Sequence, residues 1–328
     1  MRLLLSVVVI LLLPLSALAE CVGTDLRPGL SDTERTALQA AERDTPFPRG
    51  NHWLAEKDGQ IIRVIGTMHL GDPRMDALTE QLAPHIETAD LLFLEITRDE
   101  EKRMERMMAS DPGLLLLTDT TLPEALDEET WALIADAARA RGLPPFMAAK
   151  MQPWYLSVML SIPACMMETL ASDDNPGLDD RLITVAEDAG TPMRSLERIE
   201  DVISIFTEEP FEKQVSFLVA SLMPERVSDD MMATTTESYF DEANAESWAL
   251  ARVLADRYMD METSELDAAF ADFEQSLLID RNLSWMAHIE RATETNIVIA
   301  VGALHLMGES GVLNQLEKRG YTLTRQLF

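Results

Sequence analysis

Two segments near opposite ends of the chain share one pattern: residues 61–71 read IIRVIGTMHLG, and residues 296–308 read NIVIAVGALHLMG. In each segment an apolar run, typical of a buried strand, meets a glycine, and a histidine followed by leucine comes three residues after that glycine. Glycine permits a turn that a side chain would obstruct. We therefore expect His69 and His305 to lie just beyond the carboxyl ends of their strands.

Shorter apolar runs predict the remaining strands. An Asp-Gly pair at residues 58–59 separates the apolar residues 52–56 from the strand at residues 61–65, which is typical of a hairpin. The run Leu91-Leu92-Phe93-Leu94 is wholly apolar and predicts a strand that is buried on both faces. Two more strands are predicted at residues 192–196 and 321–327.

The middle of the chain has the periodicity of helices, from about residue 99 to residue 291. Its clearest helical segments are residues 122–141 and residues 146–160, the latter broken by Pro153 and Pro163. Strands are therefore sparse between the two ends. This order predicts an α/β or α+β protein in which a central mixed sheet is formed from both chain ends, with a large helical middle region. We expect a single domain over residues 51–328, with the helical insertion inside it.

The first residues predict export. Arg2 provides a positive start, residues 3–13 are apolar apart from one serine, and Ala17-Leu18-Ala19 fits a small-x-small cleavage site. The apolar run is short for a membrane span, so we predict a signal peptide at residues 1–19, followed by a leader segment at residues 20–50. The mature chain would then be periplasmic or secreted. A retained N-terminus would instead anchor it to the membrane.

The two cysteines, Cys21 and Cys165, leave alternatives open. Cys21 could mark a lipoprotein, although Glu20 stands immediately before it where a lipoprotein signal needs a small residue. An exported chain with two cysteines also favours a disulfide, whereas Cys165 beside two methionines could simply be a core residue.

Composition restricts the partners. Acidic residues outnumber basic residues 57 to 27 over the 328 residues, which gives a formal net charge of −30. A surface with this much negative charge repels phosphate backbones, so nucleic acid is not expected as a partner. No second apolar run approaches the length of a membrane span, so no transmembrane segment is expected in the mature chain.

Two acidic residues accompany the paired histidines: Glu95 and Glu197 also stand at the ends of predicted strands. In α/β sheets, ligands and catalytic groups gather outside the carboxyl ends of the strands. Two imidazoles and a carboxylate are a usual ligand set for a catalytic divalent metal, and a spare glutamate can serve as general base. A lone histidine on an apolar strand is more often a hydrogen-bonded core residue, but the matched pair favours a metal site. Glu197 could equally cap the helix that is predicted to start near Arg198.

The chain resembles the TraB/GumN family, which includes the animal Tiki metalloproteases. The resemblance covers about residues 51–325, and its most specific part is the C-terminal block from Val301 to Tyr321. The matching pieces are the two Gly-x-x-His segments, Leu94-Glu95, Lys150 with Pro153-Trp154, Gly177-Leu178-Asp179, Ser195-Leu196-Glu197 and Arg281-Asn282 with Trp285-Met286.

The resemblance implies a metal-dependent hydrolase, first of all a peptidase that uses Mn²⁺ or Co²⁺, with Zn²⁺ as a further option. It implies that His69, His305 and Glu95 hold the metal and that Arg281 faces the same site, where a fixed cation stabilises an oxyanion. Its substrate would be a peptide or a small molecule. The alternative is a non-catalytic periplasmic protein that sequesters a peptide or a haem-like ligand in the same cleft.

Overall fold

The computed structural model describes residues 23–167, 175–259 and 262–328. The predicted signal peptide and Cys21 lie outside the described residues, so export, lipid attachment and the pairing of Cys21 with Cys165 stay predictions. Within the described ranges, no helix is long and apolar enough to cross a membrane.

A six-stranded mixed sheet forms the centre of the described chain, in the order β4-β3-β5-β2-β1-β6. Strands β2, β3, β4 and β5 run parallel, whereas β1 and β6 pair antiparallel at one side. Asp58 and Gly59 both have positive φ, as the predicted tight hairpin between β1 and β2 requires. The strands are β1 (His52–Lys57), β2 (Gln60–Thr67), β3 (Leu91–Leu94), β4 (Met193–Ser195), β5 (Asn296–Gly302) and β6 (Thr322–Arg325).

The late strand β5 lies between the early strands β2 and β3. Thr67 pairs with Gly302, and Leu94 pairs with Ala300, so the parallel strands end almost level with one another. The prediction of a mixed sheet built from both chain ends is therefore confirmed. The carboxyl ends of β2, β5, β3 and β4 form one edge of the sheet.

Helices cover both faces of this sheet. One face packs against α2 and α8 through apolar side chains such as Leu82 and Leu182, and the other packs against α14 and α15 through Trp285 and Leu316. The described helices are α1 (Asp32–Asp44), α2 (Met75–Glu87), α3 (Arg98–Ser110), α4 (Leu122–Ala125), α5 (Glu128–Ala140), α6 (Pro145–Ala148), α7 (Pro153–Ser161), α8 (Leu178–Ala189), α9 (Ile199–Thr207), α10 (Phe211–Ala220), α11 (Glu225–Phe240), α12 (Asn244–Tyr258), α13 (Thr263–Glu274), α14 (Asp280–Arg291) and α15 (Val312–Lys318).

The helical middle region has a core of its own, in which α5, α7 and α10 contribute Ile134, Leu156 and Leu218. The prediction of one helix over residues 122–141 is wrong, because the chain breaks into α4 and α5. Asp127 stands in extended conformation at the break and accepts a hydrogen bond from Thr130 N at 2.9 Å, which starts α5 anew.

The segment before β1 also packs onto the helical region. Helix α1 begins with a capping box between Ser31 and Glu34. Its Leu38 lies in a small apolar cluster with Leu250 and Leu254 of α12. Residues 23–50 thus cover one side of α12.

Shortening a buried side chain in β5 should destabilise the protein strongly. Ile299 is fully buried in the core cluster that also contains Phe93 and Trp285, so Ile299→Ala should lower the free energy of unfolding by about 2–5 kcal/mol through lost burial and a cavity. Chemical denaturation measures this change. Leu133→Ala is the control, because Leu133 is 59% exposed and should change stability by no more than about 0.5 kcal/mol. Equal effects of the two changes would contradict the placement of β5 at the centre of the sheet.

Candidate active site at the carboxyl edge of the sheet

Four of the predicted site residues meet at the carboxyl edge of the parallel strands. Glu95 follows β3 directly, Glu197 comes two residues after β4, and His305 ends the short 3-10 turn Ala303–His305 after β5. Arg281 approaches them from the first turn of α14. All four side chains are mostly buried.

The two motif glycines are needed for space rather than for an unusual backbone conformation, since neither has positive φ. A Cβ atom on Gly302 would lie 3.2 Å from Glu95 Oε1 and 3.5 Å from His305 Cδ2. A Cβ atom on Gly66 would lie 3.0 Å from Ala303 Cα in the turn that carries His305. A side chain on Gly302 would therefore crowd the Glu95 carboxylate, and one on Gly66 would crowd the turn that carries His305.

Arg281 holds the group together. Its Nη2 donates to Glu95 Oε2 at 2.6 Å and also to Glu197 Oε1, while its Nε donates to Glu197 Oε2 at 3.0 Å. Its Nη1 lies 3.2 Å from His305 Nε2. Trp285 Nε1 adds a hydrogen bond to Glu197 Oε2 at 3.2 Å. One guanidinium therefore bridges the ends of β3, β4 and β5.

A π-helical turn at Gln275–Ile279 joins α13 to α14 just before Arg281. In this turn Asp280 N donates to the carbonyl oxygen of Gln275, five residues back. The carbonyl oxygen of Leu277 accepts a hydrogen bond from Arg281 Nη1 at 3.3 Å. The wider turn thus gives the arginine side chain an additional acceptor and helps to fix its direction.

The hydrogen bonds of His305 determine its tautomer. Asn282 Nδ2 donates to the carbonyl oxygen of His305, so Asn282 Oδ1, 2.7 Å from His305 Nδ1, must accept. His305 Nδ1 therefore carries the proton and Nε2 carries a lone pair, which agrees with Arg281 Nη1 donating to Nε2. Glu95 Oε1 lies 3.9 Å from the same Nε2. A nitrogen lone pair and a carboxylate oxygen thus converge.

His69 stands at the rim of this group. Its side chain is 68% exposed, and its Nδ1 lies 2.8 Å from Asp179 Oδ2 at the start of α8. The backbone of Gly177 packs closely against the carbonyl oxygens of Met68 and His69, so no larger residue fits there. The other carboxylate oxygen of Asp179 is buried and has no hydrogen-bond partner among the described residues.

The environment gives the two glutamates different pKa values. Burial acts to raise the pKa of Glu95, but the adjacent His305, Arg281 and His69 and the N–H of Gly302 lower it to about 2. Burial raises the pKa of Glu197 above its ordinary value, in spite of its bonds to Arg281. Glu95 is thus held ionised, whereas Glu197 is the carboxylate that takes up a proton more readily.

The two histidines differ in the same way. Burial lowers the pKa of His305 to about 4, so this imidazole is neutral at neutral pH. The hydrogen bond that His69 Nδ1 donates to the Asp179 carboxylate, assisted by the charges of Asp179, Glu95 and Asp180, raises the pKa of His69 above its ordinary value. His69 therefore supplies a positive charge close to Glu95.

The predicted residues thus fall into two sets. The structure brings His305, Glu95, Glu197 and Arg281 into contact, whereas it turns His69 towards Asp179. Within the residues that the structure describes, no three histidine, cysteine or acidic side chains stand close enough together to hold a metal ion.

Sequence reasoning did not assign roles to Asp179 and Asn282, the two residues that orient the histidines. Both stand in motifs that were noted for other reasons, but their partners lie 110 and 23 residues away in the chain.

A cavity of about 860 Å³ lies beside the buried group and has Glu197 and Arg281 in its wall. Its other lining residues come mainly from α9, the residues on either side of it and α14, with Glu100 from α3 and Ser276 from the π-helical turn; they include Arg198, Asp201 and His288. A ligand in this cavity would reach the arginine and the second glutamate directly.

Comparison with known proteins identifies relatives over nearly the same residues. The chain matches the sequence profile of the TraB/PrgY/gumN family over residues 51–325. It is 24% identical over 279 residues to the uncharacterized protein YbaP of Escherichia coli (strain K12), and the match covers 82% of this chain and 94% of that protein. The uncharacterized protein YbaP of Shigella flexneri matches with the same identity and coverage.

The pairing of His69 with Asp179 predicts an NMR result. In the unmodified protein, the imidazole of His69 should titrate above the ordinary value of about 6.5, because protonation strengthens its bond to the carboxylate. Asp179→Asn removes the negative charge and should bring the pKa of His69 back down towards that value. A titration curve that the substitution leaves unchanged would contradict the pairing.

Burial of neutral His305 predicts a pH dependence of stability. Between pH ~6.5 and pH ~4 the imidazole of His305 is protonated in the unfolded chain but stays neutral in the folded protein. The free energy of unfolding should therefore fall as the pH drops through this range. His305→Gln should reduce the loss between pH 7 and pH 5 by about 2 kcal/mol, as measured by denaturation at both pH values. The control is Leu283→Ala, at an exposed position on α14, which should change the free energy of unfolding by the same amount at pH 7 and at pH 5. An unchanged pH slope in His305→Gln would contradict the burial of a neutral imidazole.

Proposed function

Because the chain belongs to the TraB/PrgY/gumN family, we propose that it is an exported metal-dependent hydrolase, first of all a peptidase. The observation that carries this proposal is the convergence of His305 Nε2 and Glu95 Oε1, 3.9 Å apart at the carboxyl edge of the sheet. Export rests on the pattern of residues 1–19.

The donor chemistry fits a divalent metal. His305 presents a lone pair on Nε2 while Asn282 holds its Nδ1, and this outer hydrogen bond is the usual support of a metal-binding histidine. His69 is supported in the same way by Asp179, and its Nε2 makes no hydrogen bond within the described chain. Glu95 is kept ionised and offers an oxygen. We propose that His305, Glu95 and His69 hold Mn²⁺ or Co²⁺, with Zn²⁺ as a further option. His69, which is turned towards Asp179 in this structure, would lose its proton and approach the other two side chains on binding.

A divalent ion bound there would polarise a substrate carbonyl and activate a water molecule. Arg281 would place a fixed positive charge beside the oxyanion that develops on the substrate. Glu197, whose pKa is raised, would accept a proton from the attacking water as general base. Asn282 would keep His305 in the tautomer that presents Nε2.

Metal binding tests this proposal. Calorimetric titration of the purified protein with Mn²⁺ or Co²⁺ at high salt, which suppresses weak binding to the many surface carboxylates, should show one tight site. His305→Ala and Glu95→Gln should abolish that site together with hydrolysis of a mixed peptide substrate. Asn282→Ala should weaken metal binding by about 10–100-fold, because the imidazole loses its support.

His85→Ala is the matched control, since His85 lies in the last turn of α2 and is not one of the proposed site residues, so both metal binding and hydrolysis should be unchanged. Equal metal affinity in the parent and in His305→Ala would contradict the proposed ligand. Absence of a tight metal site, together with a Soret band on addition of haem, would favour the sequestering protein instead.

A further inference from the structure

A groove leads away from the buried charged group. The 860 Å³ cavity beside Glu197 and Arg281 shares Ile205, Glu209 and Ser276 with a second cavity of about 250 Å³. The second cavity in turn shares Phe217 and Phe273 with a third of about 580 Å³. The three cavities therefore adjoin one another along α9, α10 and α13, and together they are called the groove.

The first cavity of the groove is strongly acidic. Its two guanidinium groups are already engaged, because Arg281 bonds to Glu95 and Glu197 and Arg198 pairs with Glu200. Asp201 and Glu208 are exposed, and their carboxylates have no ion-pair partner in the described chain. The lining carboxylates are those of Glu100, Glu197, Asp201, Glu208, Glu209 and Asp280. The first cavity therefore favours a cationic group.

The second cavity is mostly apolar and contains one unsatisfied acceptor. Trp154, Phe206 and Phe217 line it together with Gln214. Gln214 is only 8% exposed, and its Nε2 donates to the carbonyl oxygen of Glu209 at 2.8 Å, which fixes the orientation of the amide. The Oε1 atom of Gln214 has no hydrogen-bond partner in the described chain. This atom is left as an acceptor for an N–H or O–H donor that enters the cavity.

We propose that the groove binds an extended peptide segment with a basic side chain in the first cavity and an apolar side chain in the second. A backbone N–H of the peptide donates to Gln214 Oε1. The inference deepens the proposed function, on which it rests, by naming a preference for basic residues next to the bond that is cleaved. A polyamine would leave the apolar cavity empty, and an anionic lipid would be repelled by the carboxylates. A peptide matches the acidic cavity, the apolar cavity and the acceptor atom of Gln214.

Fluorescence anisotropy tests this preference in the absence of cleavage. The probes are fluorescein-labelled serine–alanine peptides of nine residues that contain one arginine and one phenylalanine, separated by one, two or three positions, measured with EDTA present. The best of them should bind about tenfold more tightly than the same peptide with citrulline in place of arginine, and about tenfold more tightly than the same peptide with serine in place of phenylalanine.

Variants of the full chain locate the two contacts. The double change Asp201→Asn with Glu208→Gln should remove the preference for arginine over citrulline. Gln214→Leu should weaken binding of both peptides equally and leave the ratio of the two affinities unchanged. The control is Glu187→Gln with Asp188→Asn, which changes the net charge by the same amount at exposed positions on α8 and should leave the preference intact.

Several results would overturn the inference. One is equal binding of the arginine and citrulline peptides, and another is an unaltered preference in the Asp201/Glu208 variant. A third is loss of the preference in the α8 control, because the preference would then come from long-range charge alone. Displacement of the peptide by an uncharged detergent at equal affinity would indicate a lipid groove instead.

Measuring both hydrolysis and peptide binding distinguishes failure of the inference from failure of the proposed function. Metal-dependent hydrolysis without a preference for arginine would leave the proposed function and overturn the inference. The predicted binding preference without hydrolysis in any metal would overturn the proposed function and leave only the peptide-binding groove.

Discussion

The site depends on the bridge that Arg281 makes between Glu95 and Glu197. Two carboxylates at the ends of neighbouring strands repel each other, and burial strengthens the repulsion because little water screens it. The guanidinium between them, 15% exposed, relieves this repulsion with hydrogen bonds to both. Such buried ion pairs add little net stability, but removal of one partner leaves a buried charge without compensation. The positions of β3, β4 and α14 are therefore tied to one side chain.

The charges of the site do not sum to zero without a further cation. Glu95, Glu197 and Arg281 together carry one negative charge when both carboxylates are ionised, and buried His305 is neutral at neutral pH. A protonated His69 beside Glu95 compensates this charge in the present structure. A divalent metal or a cationic substrate group would find the same excess of negative charge. The acidic cavity next to Glu197 extends that field into the groove.

Much of this arrangement could be predicted from the sequence, because strand ends are marked by local patterns. The apolar runs and the two Gly-x-x-His segments predicted the parallel edge and placed Glu95 and His305 on it. Contacts between distant segments have no local sequence pattern that predicts them. The partnership of His69 with Asp179 and the direction of Arg281 depend on how α8 and the π-helical turn pack. The break between α4 and α5 was missed for a different reason, since the cap at Asp127 interrupts an otherwise continuous helical pattern.

Anomalous diffraction from crystals soaked in Co²⁺ tests the central claim most directly. The account predicts one strong peak at about 2.0–2.2 Å from His305 Nε2 and from a Glu95 carboxylate oxygen, with Arg281 Nη1 displaced from its present position 3.2 Å from that nitrogen. A peak found only at surface carboxylates, with Arg281 still bonded to His305 and Glu95, would contradict it.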